Sequence, residues 1–277
     1  MAPHASFADC RYRPPQLFRS RYRVGACGRE QMNMGSPRKK IALVTGANKG
    51  IGFEVARQLA ASGCTVLLGA RNKALGEEAA ATLKREGCDV RYLPIDLDDP
   101  ATIATAAKDI DAGFGHLDVL VNNAGIAWQG DGLPSSSSLD AIERDFRVNF
   151  LGSVAVTQAM LPLLRKASSA SIVNVSSGLG SLTKSSDPAW THVAAKYLGY
   201  AASKAALNML TVQLAYELRG TAIKVNSVDP GYTATDLNQH QGAQSIPEGA
   251  AEIIRLALLP DNGPTGTFSN AQGIVPW

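Results

Sequence analysis

"KKIALVTGANKGIGFEVARQLAASG", residues 39–63, decides the fold. An apolar run from Ile41 ends at Thr45-Gly46, and apolar positions 51, 55, 56 and 59 then recur at helical spacing until Gly63. Between them lie Gly46, Gly50 and Gly52, so the stretch reads as strand, glycine-rich turn and helix. Such glycines let backbone N–H groups approach an anion, and the helix N-terminus adds partial positive charge. The turn matches neither G-x-G-x-x-G nor the Walker pattern, which needs Gly-Lys-Ser/Thr. Alone, it could equally serve close packing.

Working outward, the same alternation repeats. Strands are predicted at "CTVLLGA" (64–70), "CDVRYLPI" (88–95), "LDVLVN" (117–122), "SIVNVSS" (171–177), "IKVNSVDPG" (223–231) and the short "TGTFS" (265–269). Helices are predicted at 73–87, 100–115, 200–220 and around 247–259, with one long helix over 138–167. The serine run 135–138 reads as a loop entering that long helix. Apolar strands alternating with amphipathic helices imply an α/β fold, a Rossmann-type doubly wound parallel sheet of about seven strands, helices on both faces. Ligands then bind outside the carboxyl ends of the strands. Residues 40–277 suffice for one such catalytic domain.

Composition removes other classes. The chain has 277 residues, 45% apolar and 18% charged, with no uninterrupted apolar run near the ~18 residues of a membrane span. Residues 1–40 hold nine Lys/Arg against Asp9 and Glu30, a balance of +7. The other 18 Lys/Arg and 22 Asp/Glu leave −4 on residues 41–277, which argues against a nucleic-acid surface there. Residues 1–39 therefore read as a basic, flexible leader, with translation starting at Met32 or Met34, an organelle transit peptide and a basic arm as the alternatives. Cys10, Cys27, Cys64 and Cys88 show no C-x-x-C spacing, and the histidines at 4, 116, 192 and 240 are scattered. No metal site is expected, and four free thiols fit a reducing compartment such as the cytoplasm.

Five further motifs follow the glycine turn in order. "NNAG" (122–125) follows the fourth strand, "RVNFLG" (147–152) lies within the long helix, and "NVSS" (174–177) closes the fifth strand. "YAASK" (200–204) opens the next helix, and "DPGYTATD" (229–236) follows the sixth strand. With "TGANKGIG" (45–52), which fits T-G-x-x-x-G-x-G, the set spans about 190 residues in one order. On these motifs the chain resembles the short-chain dehydrogenase/reductase family over residues 40–277, particularly its carbonyl-reductase-type members.

Tyr200 and Lys204, four apart, share one helix face. A tyrosine near its ordinary pKa of ~10 is a poor acid–base at neutral pH. The Lys204 cation is expected to draw it toward neutrality, especially beside an oxidised nicotinamide. Tyr197 is a control within the chain, because its i+4 partner is Ala201. A core aromatic beside a surface lysine is the plainer reading of the pair in isolation. Asn149 interrupts "FRVNFLGSVAV", and an Asn in an apolar helix must find hydrogen bonds. The resemblance implies that Asn149 holds a relay water, that Ser177 polarises the substrate carbonyl, and that Tyr200 gives the proton. It also implies that Lys204 holds the nicotinamide ribose. Ser176 is the adjacent alternative to Ser177, and Ser185 and Ser186 lie nearer the family's simpler spacing to the tyrosine. Ser177 is kept because it ends a strand.

For the cofactor, the resemblance implies contacts from Gly46, Asn48, Lys49, Gly50, Ile51 and Gly52, and from Asn123, Ala124 and Gly125. Asp96 and Leu97 are expected at the adenine, with Pro230, Gly231, Thr233 and Thr235 along the nicotinamide and its phosphate. The second strand ends "VLLGARN", placing Ala70 where an acid would bind a ribose 2′-OH, with Arg71 after it. Two cations, Lys49 and Arg71, and no carboxylate favour NADP(H). Tyr200 lies 23 residues after Ser177, and the extra stretch (residues 179–199) resembles the insertion of carbonyl-reductase-like relatives. Leu179 and Trp190 in it, with Trp128 and Tyr232, are expected to wall the substrate pocket. The reading is an NADPH-dependent reduction of a small-molecule aldehyde or ketone. Alcohol oxidation, 3-oxoacyl-thioester reduction and a non-catalytic NADP-binding regulator are the alternatives. No nucleic-acid or membrane partner is expected, and assembly stays open among monomer, dimer and tetramer.

Overall fold

The computed structural model describes residues 38–277, and Lys39–Trp277 form one compact unit. The leader expected over residues 1–39 falls almost wholly outside the described residues, as do Cys10 and Cys27.

Eight strands form one sheet in the order β3-β2-β1-β4-β5-β6-β7-β8. They are β1 (Ile41–Thr45), β2 (Thr65–Ala70), β3 (Val90–Pro94), β4 (Val119–Asn122), β5 (Ala170–Val175), β6 (Ile223–Val228), β7 (Phe268–Asn270) and β8 (Gly273–Ile274). The first seven pair in parallel and β8 pairs antiparallel with β7. The expected seven strands become eight because the chain turns at 271–272 and lays two more residues on the edge. The last parallel strand also starts three residues later than "TGTFS" suggested.

Alternation along the strands divides the core. Ala42 and Val44 point to one face with Val66, Leu68, Val119 and Val121, covered by α1 (Gly50–Ala61), α2 (Lys73–Arg85) and α8 (Ile246–Ala257). Ile41 and Leu43 point to the other with Leu67, Leu120, Ile172 and Val225. There α3 (Pro100–Phe114), α5 (Ser153–Leu164) and α7 (Leu198–Glu217) supply Ile110, Met160 and Leu214. Burial on both faces explains why the strands read as continuous apolar runs.

Two segments differ from their sequence expectation. The long helix over 138–167 is three pieces: α4 (Leu139–Asp145), a π-helical stretch (Phe146–Gly152) and α5. Asn149 sits in the π stretch, which widens the helix where its side chain leaves to bond elsewhere. The insertion expected as loop contains a 3₁₀ turn (Gly178–Gly180) and the short α6 (Leu182–Ser186).

Candidate active site

The chemistry-bearing motifs meet at the carboxyl ends of β1, β4, β5 and β6. Gly46 and Gly50 adopt φ of +62° and +58°, a region that side chains disfavour. A Cβ on Gly52 would lie 2.6 Å from the Gly46 carbonyl, so the turn closes only on glycine there. Asn123 donates through Nδ2 to the carbonyls of Thr45 (2.9 Å) and Gly46 (3.2 Å). Its side chain thus braces the turn, a task the sequence reading did not give it.

The first turn of α1 has no side-chain cap, whereas Asn72, Asp99, Ser138 and Ser245 cap α2, α3, α4 and α8. Uncapped N–H groups behind a glycine turn fit the diphosphate of a dinucleotide. Ala70 is buried at the end of β2 and Arg71 is exposed beyond it. Lys49, expected with Arg71 as one of two cations at the cofactor, is held 2.6 Å from Asp236. Asp236 takes His240 on its other oxygen at 2.9 Å. Thr235, one residue earlier, faces Gly50: its Cγ2 would lie 3.7 Å from a Cβ placed there. Gly231 has φ +77°, and Thr233 is buried with its hydroxyl on the Pro230 carbonyl at 3.1 Å. Asp96 starts the turn into α3, accepting Asp98 N–H at 3.1 Å, and Leu97 packs its side chain over Gly152.

Ser177, Tyr200, Lys204 and Asn149 converge. The two serines of "NVSS" diverge as strand alternation requires: Ser176 donates to the Lys204 carbonyl at 3.3 Å, and Ser177 hydrogen-bonds the Tyr200 hydroxyl. Ser185 is turned to the Leu179 carbonyl and Ser186 to that of Thr183. Lys204 is buried, donates to the Val175 carbonyl at 2.8 Å, and lies 5.6 Å from the centre of the Tyr200 ring. Asn149 is fully buried; its Oδ1 accepts Ile126 N–H at 2.8 Å, and its Nδ2 donates to the Ile126 carbonyl and Ser203 Oγ. A Cβ on Gly125 would lie 3.2 Å from both Asn149 Oδ1 and Lys204 Nζ, so Gly125 leaves open the space between them.

The chain's own groups set the electrostatic starting point for Tyr200 and Lys204. Burial pushes the Tyr200 phenol up to about 12; the Ser177 hydrogen bond opposes it, and Asp229 and Asp145 add to the rise. Among the chain's own groups burial outweighs the lysine: the Lys204 amine lies 5.6 Å from the ring centre and is itself desolvated. Burial lowers Lys204 to about 8, with Asp145 opposing.

Two acids at the site escaped the sequence reading. Asp131 accepts the backbone N–H groups of Gly199 and Tyr200, each at 2.9 Å, and so caps α7 from a distant loop. It also holds Gly132 N–H and the Ser137 hydroxyl. Burial raises its carboxyl, but these hydrogen bonds together win and lower it. Asp145 is buried in the last turn of α4 and accepts Trp128 N–H at 3.0 Å. Only the "GDG" of 130–132 hinted at the first, and one aspartate on a charged helix gave no sign of the second.

Of the expected pocket residues, Trp190 and Tyr232 come together through His192, with ring centres 5.5 and 5.8 Å from it. Lys184 lies over the Trp190 ring and 3.7 Å from Asp229. Leu179 belongs to the 3₁₀ turn beside Ser177. Trp128 is half exposed and lies under the Arg144 guanidinium instead.

The sequence profile described as short chain dehydrogenase matches residues 40–245. Salutaridine reductase of Papaver bracteatum is 32% identical, the match covering 83% of this chain and 93% of that one. (+)-Neomenthol dehydrogenase of Arabidopsis thaliana is 33% identical, over 87% and 99% of the two chains. Among solved structures, the NADPH-bound carbonyl reductase from chicken fatty liver superposes with a TM-score of 0.76 at 28% identity. That match covers 87% of this chain and all of that one.

Proposed function

The chain belongs to the short-chain dehydrogenase family, and from that premise we propose that it reduces an aldehyde or ketone to an alcohol with Tyr200 as proton donor. It is an oxidoreductase of the NADP(H)-dependent kind. When bound, the nicotinamide supplies the hydride that adds to the carbonyl carbon. The chain's own residues do the rest. The Ser177 and Tyr200 hydroxyls meet, so that both O–H groups can turn from their mutual hydrogen bond onto one carbonyl oxygen and polarise it. As charge builds on that oxygen, Tyr200 transfers its proton to it. Lys204, beneath the ring, stabilises the tyrosinate left behind. Asn149 holds the Ile126 backbone, and Gly125 leaves the space between Asn149 and Lys204 open for proton return.

The observation that carries this reading is the convergence of Ser177, Tyr200 and Lys204 beside an uncapped, glycine-entered helix. The aromatic group of Trp190, His192 and Tyr232 supports a bulky apolar substrate. Free thiols at Cys64 and Cys88 support a cytoplasmic setting, and among the described residues no helix is long and apolar enough to cross a membrane.

The test is consumption of NADPH against NADH with cyclic and open-chain ketones, on wild type and Tyr200→Phe. Turnover with NADPH that drops by about 10²-fold or more in the variant is expected. Binding of NADPH with no turnover on any carbonyl, alcohol or thioester would overturn the reading in favour of a regulator.

A further inference from the structure

Resting on the reductase reading, the geometry points to Lys184 and Asp229 as a specificity-determining pair: together they take a hydroxyl group carried on the ring of a carbonyl substrate. Lys184 lies on α6 and Asp229 directly follows β6, so the pair bridges the insertion and the sheet. Lys184 Nζ stands 3.7 Å from Asp229 Oδ2, and the two side chains keep only 23% and 11% of their surface exposed. A charge-assisted hydrogen bond between such groups runs at ~2.7–2.9 Å, so neither satisfies the other. Among the described residues Lys184 Nζ makes no hydrogen bond, and Asp229 accepts only Gly231 N–H, on Oδ1 at 3.1 Å.

The pair borders the reacting groups. Gly178 directly follows Ser177, and a Cβ placed on it would lie 3.0 Å from Asp229 Oδ2 and 3.1 Å from Trp190 Cζ2. Lys184 Nζ sits over that same tryptophan, 5.8 Å from the ring centre. Trp190 leads in turn through His192 to Tyr232. One aromatic wall therefore runs outward from the Ser177 turn, with a cation and a carboxylate at the end beside the serine.

The chemistry of the two groups names the ligand. An ammonium offers only donors and a carboxylate only acceptors. A hydroxyl serves both, accepting from Lys184 while donating to Asp229. A carboxylate on the substrate would be repelled by Asp229, and an ammonium by Lys184. Charged side chains shielded from water and short of partners are costly, and a hydroxyl restores the bonds that burial removes. The aromatic wall takes the ring that carries it. A pair serving only to tie α6 to the end of β6 would do so better in direct contact.

The experiment compares α-tetralone, its isomers bearing one phenolic hydroxyl, and the matching carboxylic acids. Values of kcat/KM with NADPH are measured on wild type, Lys184→Met and Asp229→Ala, and dissociation constants by calorimetry on the NADP+-loaded proteins. Each result is read as the ratio of the substituted ketone to the parent within one protein, which cancels any general loss of activity. Expected in wild type is one hydroxyl isomer favoured by about 10- to 100-fold in both measurements, with the acids disfavoured. That ratio should fall to about one in both variants. The comparison across isomers in wild type keeps the test available if a variant does not fold. No favoured hydroxyl isomer in wild type, an acid preferred to its hydroxyl counterpart, or the same preference in folded Lys184→Met overturns the proposal. Hydroxyl-selective binding that Lys184→Met abolishes, in a protein that reduces no carbonyl, would instead overturn the reductase reading and leave the subsite standing.

Discussion

Asp131 accepts the backbone N–H of Tyr200 at 2.9 Å although 69 residues separate the two. The helix that carries the proton donor begins without a side-chain cap of its own and borrows this one. Removing the carboxylate in Asp131→Ala should cost about 1–2 kcal/mol, as loss of a helix cap does. Because the cap sits on the reacting residue's own backbone, kcat should fall more than NADPH affinity. Thermal denaturation with steady-state kinetics checks both. An unchanged kcat in a destabilised variant would make Asp131 purely structural.

Lys49 and Asp236 close the mouth of the glycine turn with an exposed ion pair. Such a pair contributes little to stability and is screened by salt. It does occupy a cation suited to a 2′-phosphate, so Asp236→Ala should lower KM for NADPH a few-fold at low ionic strength and leave KM for NADH unchanged. Arg71→Ala should act oppositely, raising KM for NADPH by about tenfold. Measuring both cofactors at low and high salt separates the effects.

The Asp145 carboxyl is pushed up from 3.8 to about 6 in the folded chain, chiefly by burial. A raised acid binds its proton more tightly when folded, so its contribution favours the fold below pH 4 and is lost as pH rises to about 6. Two units correspond to roughly 3 kcal/mol as an upper figure. Urea melts at several pH values should show that decline in wild type and a flatter profile in Asp145→Asn. Parallel profiles would mean that the carboxyl is not shifted.

Gly199 leaves room for α4: a Cβ there would lie 2.9 Å from the Ile142 Cα and 3.1 Å from Asp145 Oδ2. Gly199→Ala must push α4 away from the start of α7, at about 1–3 kcal/mol. Activity should fall further than the melting temperature alone explains, because Tyr200 follows directly. A variant with wild-type kcat would show that the contact yields without moving the tyrosine.

Much of the site was legible because it is local. Gly46 to Gly52 form one turn, and Tyr200 and Lys204 lie one helical turn apart whatever surrounds them. Alternation along an extended chain likewise sends Ser176 and Ser177 to opposite sides. The π stretch was not legible, because its wider winding follows from Asn149 bonding across to Ile126 and Ser203.

The sequence by itself determined the alternating α/β order, the glycine-entered helix and the Tyr–Lys spacing, all consequences of backbone geometry over a few residues. Only the tertiary structure decided that Asp131 caps α7, that Asp236 holds Lys49 from 187 residues away, and that Asp145 lies beneath Gly199. It also decided the direction of the Tyr200 shift. A pKa depends on how much water the fold removes and which charges it brings near, and no spacing along the chain encodes either.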